Sequence, residues 1–285
     1  MSRARRTWLF VPGADAAAQA AAARSGADVL IQELEDFTPP ELRPKARRLS
    51  AGLFDQWRKA GAIAAVRINP LEGCGREDLA AVMQGRPDIV LMPKVVSPEQ
   101  VRALEQATGG GVDLVPNVET AAGLLNAAAI GRASAKVIAM LVASEDMVAD
   151  LGAERSRGGD ELAYVRARFL VECRAAGVEA IDCPYTYSDV KGAVADARRA
   201  KQLGYRMKSL VAADHAGAIN RVFSASESEL RRAGRIVAAF EAARKQGKGG
   251  ARLDGRLVEV PVYSAARRLI SSASNTPPLP RKKSR

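Results

Sequence analysis

Eight short apolar runs, each followed by a stretch that reads as helix, constrain this chain more than any other feature. The runs predict strands at Trp8–Val11, Asp28–Gln32, Ile63–Ile68, Asp88–Met92, Asp113–Pro116, Lys136–Val142, Glu179–Cys183 and Tyr205–Leu210. Helices are predicted at Ala16–Arg24, Leu42–Lys59, Arg76–Met83, Pro98–Ala107, Ala121–Ile130, Asp160–Ala176 and Ser188–Leu203. Strands that alternate with helices pair in parallel, and parallel strands are covered on both faces, so they are apolar throughout. Eight of them suit an α/β fold closed as a (β/α)8 TIM barrel, which takes about 250 residues. No GxGxxG follows the first strand, which counts against an open dinucleotide-binding sheet. The glycine clusters at 109–111, 158–159 and 247–250 do not join a strand to a helix start and read as turns.

Residues 1–248 are read as the catalytic barrel domain, ending in an amphipathic helix Glu227–Lys245 with Leu230, Ala233, Ile236, Val237 and Phe240 on one face. Residues 249–274 are read as a C-terminal lid extension: a strand-like stretch Leu253–Val260 around Asp254-Gly255, then a short helix from Ser264. Residues 275–285 form a basic, Pro-rich tail expected to be disordered.

Hydrophobic residues make up 47% of the 285, enough for a large core. No apolar run reaches the ~18 residues of a membrane span. The apolar stretch after the basic N-terminus is only Trp8–Val11, too short for a signal peptide, so a cytoplasmic protein with no membrane partner is expected. Cys74, Cys173 and Cys183 are scattered and form no disulfide framework, and with a single histidine they offer no zinc set. Of the net charge of +11, Arg3, Arg5, Arg6, Arg281, Lys282, Lys283 and Arg285 leave +4 for the body. With aromatics at 5% and no basic element carrying them, no nucleic-acid partner is expected.

Barrel enzymes place their chemistry at the C-terminal ends of the strands. There the chain carries Glu33-Leu34-Glu35-Asp36, Arg67-Ile68-Asn69, Pro93-Lys94, Asn117-Val118-Glu119, Ser144-Glu145-Asp146, Asp182-Cys183-Pro184 and Lys208. A ring of such endings points to a site. Hard oxygen ligands such as Glu119 and Asp146 suit Mg2+, although an isolated acid more often caps a helix or pairs with a base. Arg67, on an otherwise apolar strand, is expected to pair with Glu33, Glu35 or Asp36, or to bind a substrate carboxylate. Lys94 and Lys208 raise a Schiff-base aldolase, against ordinary ion pairing. His215 reads as a surface or loop residue with no orienting partner.

In this order, several motifs resemble the citrate lyase beta-subunit-like family of the HpcH/HpaI aldolase superfamily. They are Arg6–Gly13, Ser25–Asp28, Leu34–Asp36, Lys45–Arg47, Val66–Pro70, Pro93–Val95, Glu119-Thr120, Glu145-Asp146, Asp150–Gly152, Ala176-Gly177, Ile181–Pro184, Phe223-Ser224 and Asp254-Gly255. The resemblance implies a (β/α)8 barrel in a homo-oligomer, trimer or hexamer, with Mg2+ (or Mn2+) on Glu119 and Asp146. It implies a carbon–carbon lyase that splits a 3-hydroxy-acyl thioester of the citryl-, malyl- or citramalyl-CoA type. The partners are then a CoA or acyl-carrier thioester and a small keto acid. Arg67, Glu35, Asp36 and Glu259 are the catalytic candidates it suggests, with Arg6, Arg67, Lys94 and Asn117 as binding candidates. Three departures stand out. The chain has Glu33 where the family usually has Asp, and lacks the His-Pro that follows the eighth strand. Glu259 stands where some members carry a lid Asp that acts on a neighbouring subunit's site. An aldolase acting on free keto acids, or an inactive thioester-binding member, are the competing readings.

Overall fold

The computed structural model describes residues 4–274. Eight parallel strands close into a barrel in sequence order: β1 (Thr7–Pro12), β2 (Val29–Glu33), β3 (Ile63–Arg67), β4 (Ile89–Met92), β5 (Asp113–Val118), β6 (Ala139–Val142), β7 (Glu179–Asp182) and β8 (Met207–Leu210), with β8 pairing back onto β1. Side chains alternate between two buried layers, as the period of two in a strand requires. Trp8, Phe10, Ile31, Ala65, Leu91, Leu141 and Met207 fill the lumen. Leu9, Val11, Leu30, Val66, Val90 and Leu210 face outward into the layer beneath the helices. With both faces covered, no strand shows a polar alternation, which is why the eight runs are readable in the sequence.

Six of the expected helices are found within a few residues: α1 (Ala16–Arg24), α2 (Arg43–Lys59), α3 (Gly75–Val82), α4 (Pro98–Ala107), α8 (Ala163–Ala176) and α9 (Val190–Leu203). Side-chain caps start several of them. Asp15 accepts from Ala18 N, Asp189 from Gly192 N, and Ser97 with Gln100 forms a capping box. The single helix expected over Ala121–Ile130 is two, α5 (Ala121–Leu125) and α6 (Ala127–Gly131). They divide at Asn126, which leaves helical geometry and donates from its side chain to the Val96 carbonyl at 2.9 Å. Two helices carry no expectation, α7 (Glu145–Leu151) and α10 (Ala216–Phe223). At seven and eight residues they are shorter than the window in which a 3.6-residue period stands out. The sixth strand is shorter than Lys136–Val142: only Ala139 onward joins the ladder, with Val137 making an isolated bridge to Leu114.

The contacts divide the chain between Phe223 and Ser224. Arg5–Phe223 is the barrel unit. The second unit holds α11 (Glu227–Lys245), β9 (Ala251–Leu253), β10 (Arg256–Val258) and α12 (Val260–Ser274). The boundary read at residue 248 therefore falls earlier, because α11 packs on α12 and β9; Phe240 stacks on Tyr263 with ring centroids 4.6 Å apart. The hairpin β9–β10 turns at Asp254 and Gly255, both with positive φ (51° and 76°), the two-residue geometry that an Asp-Gly pair favours. The helix expected from Ser264 begins at Val260. The tail read over 275–285 lies outside the described residues. Among those residues no helix is long and apolar enough to cross a membrane.

Candidate active site at the C-terminal mouth of the barrel

Strand alternation carries the lumen face from Ile31 to Glu33, from Ala65 to Arg67, and from Val115 through Asn117 to Glu119. These polar residues replace the apolar filling at the C-terminal end of the lumen. Glu33 and Arg67 are register partners on β2 and β3, and their side chains meet there, Arg67 Nε donating to Glu33 Oε1 at 2.8 Å. The same guanidinium lies 3.2 Å from Glu35 Oε2, 3.5 Å from Glu119 Oε1 and 3.9 Å from Asp36 Oδ2. Its carbon sits 4.9 Å from the centroid of the Phe10 ring. A buried guanidinium is costly unless paired. Burial pulls the pKa of Arg67 down, but Glu33, Glu35 and Glu119 more than offset this and hold it above its usual value. Glu33 also accepts the backbone N–H groups of Glu35 and Phe37, at 2.7 and 2.5 Å, so it ties Arg67 to the turn after β2.

Lys94 follows β4 in a left-handed conformation (φ 55°), uncommon for a side chain of its size. This turn lets one residue reach two carboxylates. Its backbone N–H donates to Glu119 Oε2 at 3.1 Å, while its ammonium donates to Glu35 Oε1 at 2.7 Å. Burial raises the pKa of Glu35, against the opposing charges of Arg67 and Lys94. Asn117 Nδ2 donates to Glu119 Oε1 at 3.3 Å, whereas Asn117 Oδ1 is buried with no hydrogen-bond partner. Asp146 lies in the first turn of α7, partly buried, and its charge reaches Glu119 and Lys94.

Five carboxylates (Glu33, Glu35, Asp36, Glu119, Asp146) thus face two cations (Arg67, Lys94) at one mouth. Among the described residues no three His, Cys, Asp or Glu side chains converge into an all-protein metal cage. Mg2+ does not need one, since it binds through one or two carboxylates and completes its octahedron with water and substrate. The hard-oxygen donors, the surplus negative charge and the orphan Asn117 Oδ1 fit such an ion, with Glu119 and Asp146 as the residues able to hold it.

Burial pushes the Glu119 pKa up to about 7; Arg67 opposes the rise, and the charges of Asp146 and Glu35 support it. A carboxyl raised in the native state contributes stability that is complete below its unfolded pKa and is lost as pH climbs through the native one. The metal-free protein should therefore lose this contribution between about pH 4.5 and about pH 7, and a divalent cation, binding the ionised form, should restore it. Thermal unfolding with and without Mg2+ is expected to show a larger cation-dependent rise in Tm at about pH 8 than at about pH 5.5. An equal rise at both would contradict the assignment.

Not every residue singled out in the sequence comes to this mouth. Arg6 precedes β1 and is held by Asp28, which precedes β2, at 2.8 and 2.9 Å. Both stand at the N-terminal end of the barrel, opposite Glu119. Lys208 faces outward and is fully buried. It pairs with Asp182 at 2.6 Å and with Asp196 of α9 at 2.5 Å, so it is no Schiff-base candidate. His215 is not a surface residue: it is 1% exposed, its Nε2 lies 3.1 Å from the Ser188 carbonyl, and it packs on Tyr185. Asp36 is half exposed at the edge of the cluster. Glu259 lies in the second unit, between β10 and α12. Sequence reasoning took Glu33 only as a partner for Arg67 and missed Phe10. The signal for both was their two-residue spacing from lumen positions.

The match to the HpcH/HpaI aldolase/citrate lyase model spans residues 6–213. Citrate lyase subunit beta of Escherichia coli (strain K12) is 32% identical, covering 95% of this chain and 94% of that protein. A (3S)-malyl-CoA thioesterase of Cereibacter sphaeroides is 31% identical, covering 94% of each. The CitE protein of Mycobacterium tuberculosis, solved with magnesium, acetoacetate and coenzyme A, superposes with a TM-score of 0.78 at 27% identity, covering 95% of this chain and 98% of that one. With the barrel and its acidic mouth, these similarities establish that the chain belongs to the HpcH/HpaI aldolase/citrate lyase family.

Proposed function

We propose that the chain is a Mg2+-dependent carbon–carbon lyase that cleaves a 3-hydroxy-acyl thioester of the citryl-, malyl- or citramalyl-CoA type into an acyl thioester and a keto acid. One observation carries this reading: a buried, fully charged Arg67 shares one mouth with Glu119 and Asp146. Cleavage of the bond leaves an enolate on the thioester fragment and a new carbonyl on the other. Arg67, with one of its five N–H groups left over from its four carboxylate contacts, is proposed to hold the oxygen on which negative charge grows. Mg2+, when bound, supplies Lewis-acid polarisation of the hydroxyl and carbonyl oxygens. Glu33 and Phe10 orient Arg67. Lys94 ties Glu119 to Glu35, and Asn117 Oδ1 offers an acceptor to a donor on the substrate. Glu35 and Asp36 are proposed as proton carriers at the mouth, and Glu259 as an acid or base that acts on a neighbouring subunit's site. A homo-oligomer, trimer or hexamer, belongs to the same proposal, as does the replacement of Mg2+ by Mn2+.

Citryl-, malyl- and citramalyl-CoA should be incubated with the purified protein in Mg2+ and in chelator, beside the free hydroxy acids. Release of a keto acid together with an acyl-CoA, in Mg2+ only and from at least one thioester, is the expected result. Turnover of the free acids alone would mark an aldolase. Free CoA without a keto acid would mark thioester hydrolysis. Ligand-induced thermal stabilisation without any product would mark an inactive binder.

A further inference from the structure

Among the described residues Asp146 accepts no hydrogen bond and forms no ion pair, whereas Glu119 is held from three sides. Where the Asp146 carboxylate stands at the mouth then depends on where α7 carries its backbone. That helix is tied down at both ends. In its last turn Asp150 Oδ2 accepts the backbone N–H of Ala121, the first residue of α5, at 2.7 Å. Ala121 lies two residues after Glu119, so this bond ties the last turn of α7, the helix that carries Asp146, to the start of α5 just beyond Glu119. The start of α5 is itself fixed: Thr120 accepts from Gly123 N at 3.1 Å, and a Cβ on Gly123 would stand 2.6 Å from the Val95 carbonyl. In the first turn of α7, Glu145 Oε1 accepts from Arg155 Nε at 3.1 Å and from Thr186 Oγ1, in the loop after β7, at 2.9 Å. Arg155 is anchored in turn by Glu161 at 2.7 Å, and Glu161 accepts from Ser156 Oγ at 2.5 Å.

We propose that Asp150 and Glu145 are positioning residues, a brace on α7 that sets the distance between the carboxylates of Asp146 and Glu119. The inference rests on the metal-site reading above. Exposed ion pairs contribute little to stability by themselves. Partners that orient a ligand, by contrast, govern metal affinity by about ten- to a hundredfold.

The test is Mn2+ binding to the full-length chain without substrate, followed by electron paramagnetic resonance. Asp150→Ala and Glu145→Ala are each expected to raise the Mn2+ Kd about tenfold or more. Asp150→Asn should stay close to wild type, because its amide oxygen still accepts the Ala121 N–H. In turnover, Asp150→Ala should need more metal for half-maximal rate while kcat at saturating metal stays within a few fold. Wild-type Mn2+ affinity in both alanine variants would overturn the brace. So would a fall in kcat at saturating metal with no change in Kd. If Asp150→Ala does not fold, the Glu145 variants, on an exposed side chain, carry the same test. A wild-type protein that binds no Mn2+ overturns the metal site itself; a wild type that binds, with variants unaltered, overturns only the brace.

Discussion

Glu119→Gln is expected to lower kcat/KM by about a thousandfold or more while leaving the barrel folded. The amide keeps the shape of the side chain but only one acceptor oxygen, which can serve either Lys94 N, 3.1 Å from Oε2 in the wild type, or Asn117 Nδ2, 3.3 Å from Oε1. It removes the charge that faces Arg67 at 3.5 Å and one of the two carboxylates proposed to hold the cation. Activity and stability should part company. Burial already pushes the Glu119 pKa up to about 7, so the native structure resists its ionisation, and an uncharged amide spares the metal-free protein that cost above neutral pH. Steady-state kinetics, calorimetric Mg2+ titration and a thermal melt in chelator should show lost turnover, weakened metal binding and an undiminished Tm. Wild-type turnover in the variant would remove Glu119 from the reaction.

Lys208→Met should have the largest effect on stability and act far from the chemistry. Lys208 and Arg166 face Asp182 and Asp196 in a sealed cluster between β7, β8, α8 and α9, with exposures of 0, 3, 0 and 13%. Arg166 binds Asp182 through two nitrogens, at 2.8 and 2.7 Å, and Asp196 at 2.8 Å. Burial pulls the pKa of Lys208 down, but Asp182 and Asp196 hold it above the usual lysine value; Asp196, despite its own burial, is drawn to about 2, mainly by Lys208 and Arg166. The cluster is balanced, and methionine would leave two buried carboxylates on one guanidinium. Breaking such a network costs about 3–5 kcal/mol. For a domain of this size that corresponds to a Tm lower by roughly 6–20 °C. Adding Asp196→Leu, which leaves the Arg166–Asp182 pair intact, should recover much of the loss. An unchanged Tm in the single variant, read by calorimetry, would mean that the charge is dispensable.

Arg67 and Lys208 also show where sequence reading stops. Both are cations in short strands, Arg67 as the last residue of β3 and Lys208 as the second of β8. In a parallel barrel both faces are buried, so the strand around either residue has no polar alternation that would mark inside and outside. Only the register separates them: Arg67 continues the lumen row of Ala65, while Lys208 alternates with the lumen residue Met207. Arg6 was separable in principle, because it stands before its strand and not after it. The same burial made the fold legible, since eight unbroken apolar runs leave few other architectures. That Glu119 and Asp146 follow the ends of successive strands was legible too; the role proposed for them was not. The brace around α7 was not, because it joins residues 29 and 41 positions apart through loops without periodicity.

The imbalance at the mouth has a kinetic consequence. Even with Glu119 protonated, four carboxylates face two cations there, on a chain whose overall charge is +11. At long range an anionic thioester is drawn toward the protein, and at the last few ångströms it meets charge of its own sign. A divalent cation meets the opposite sequence, weak repulsion at a distance and attraction in the cup. Under the proposed lyase reading loading is ordered, cation before organic anion, and the KM for the thioester is expected to track the concentration of the ion.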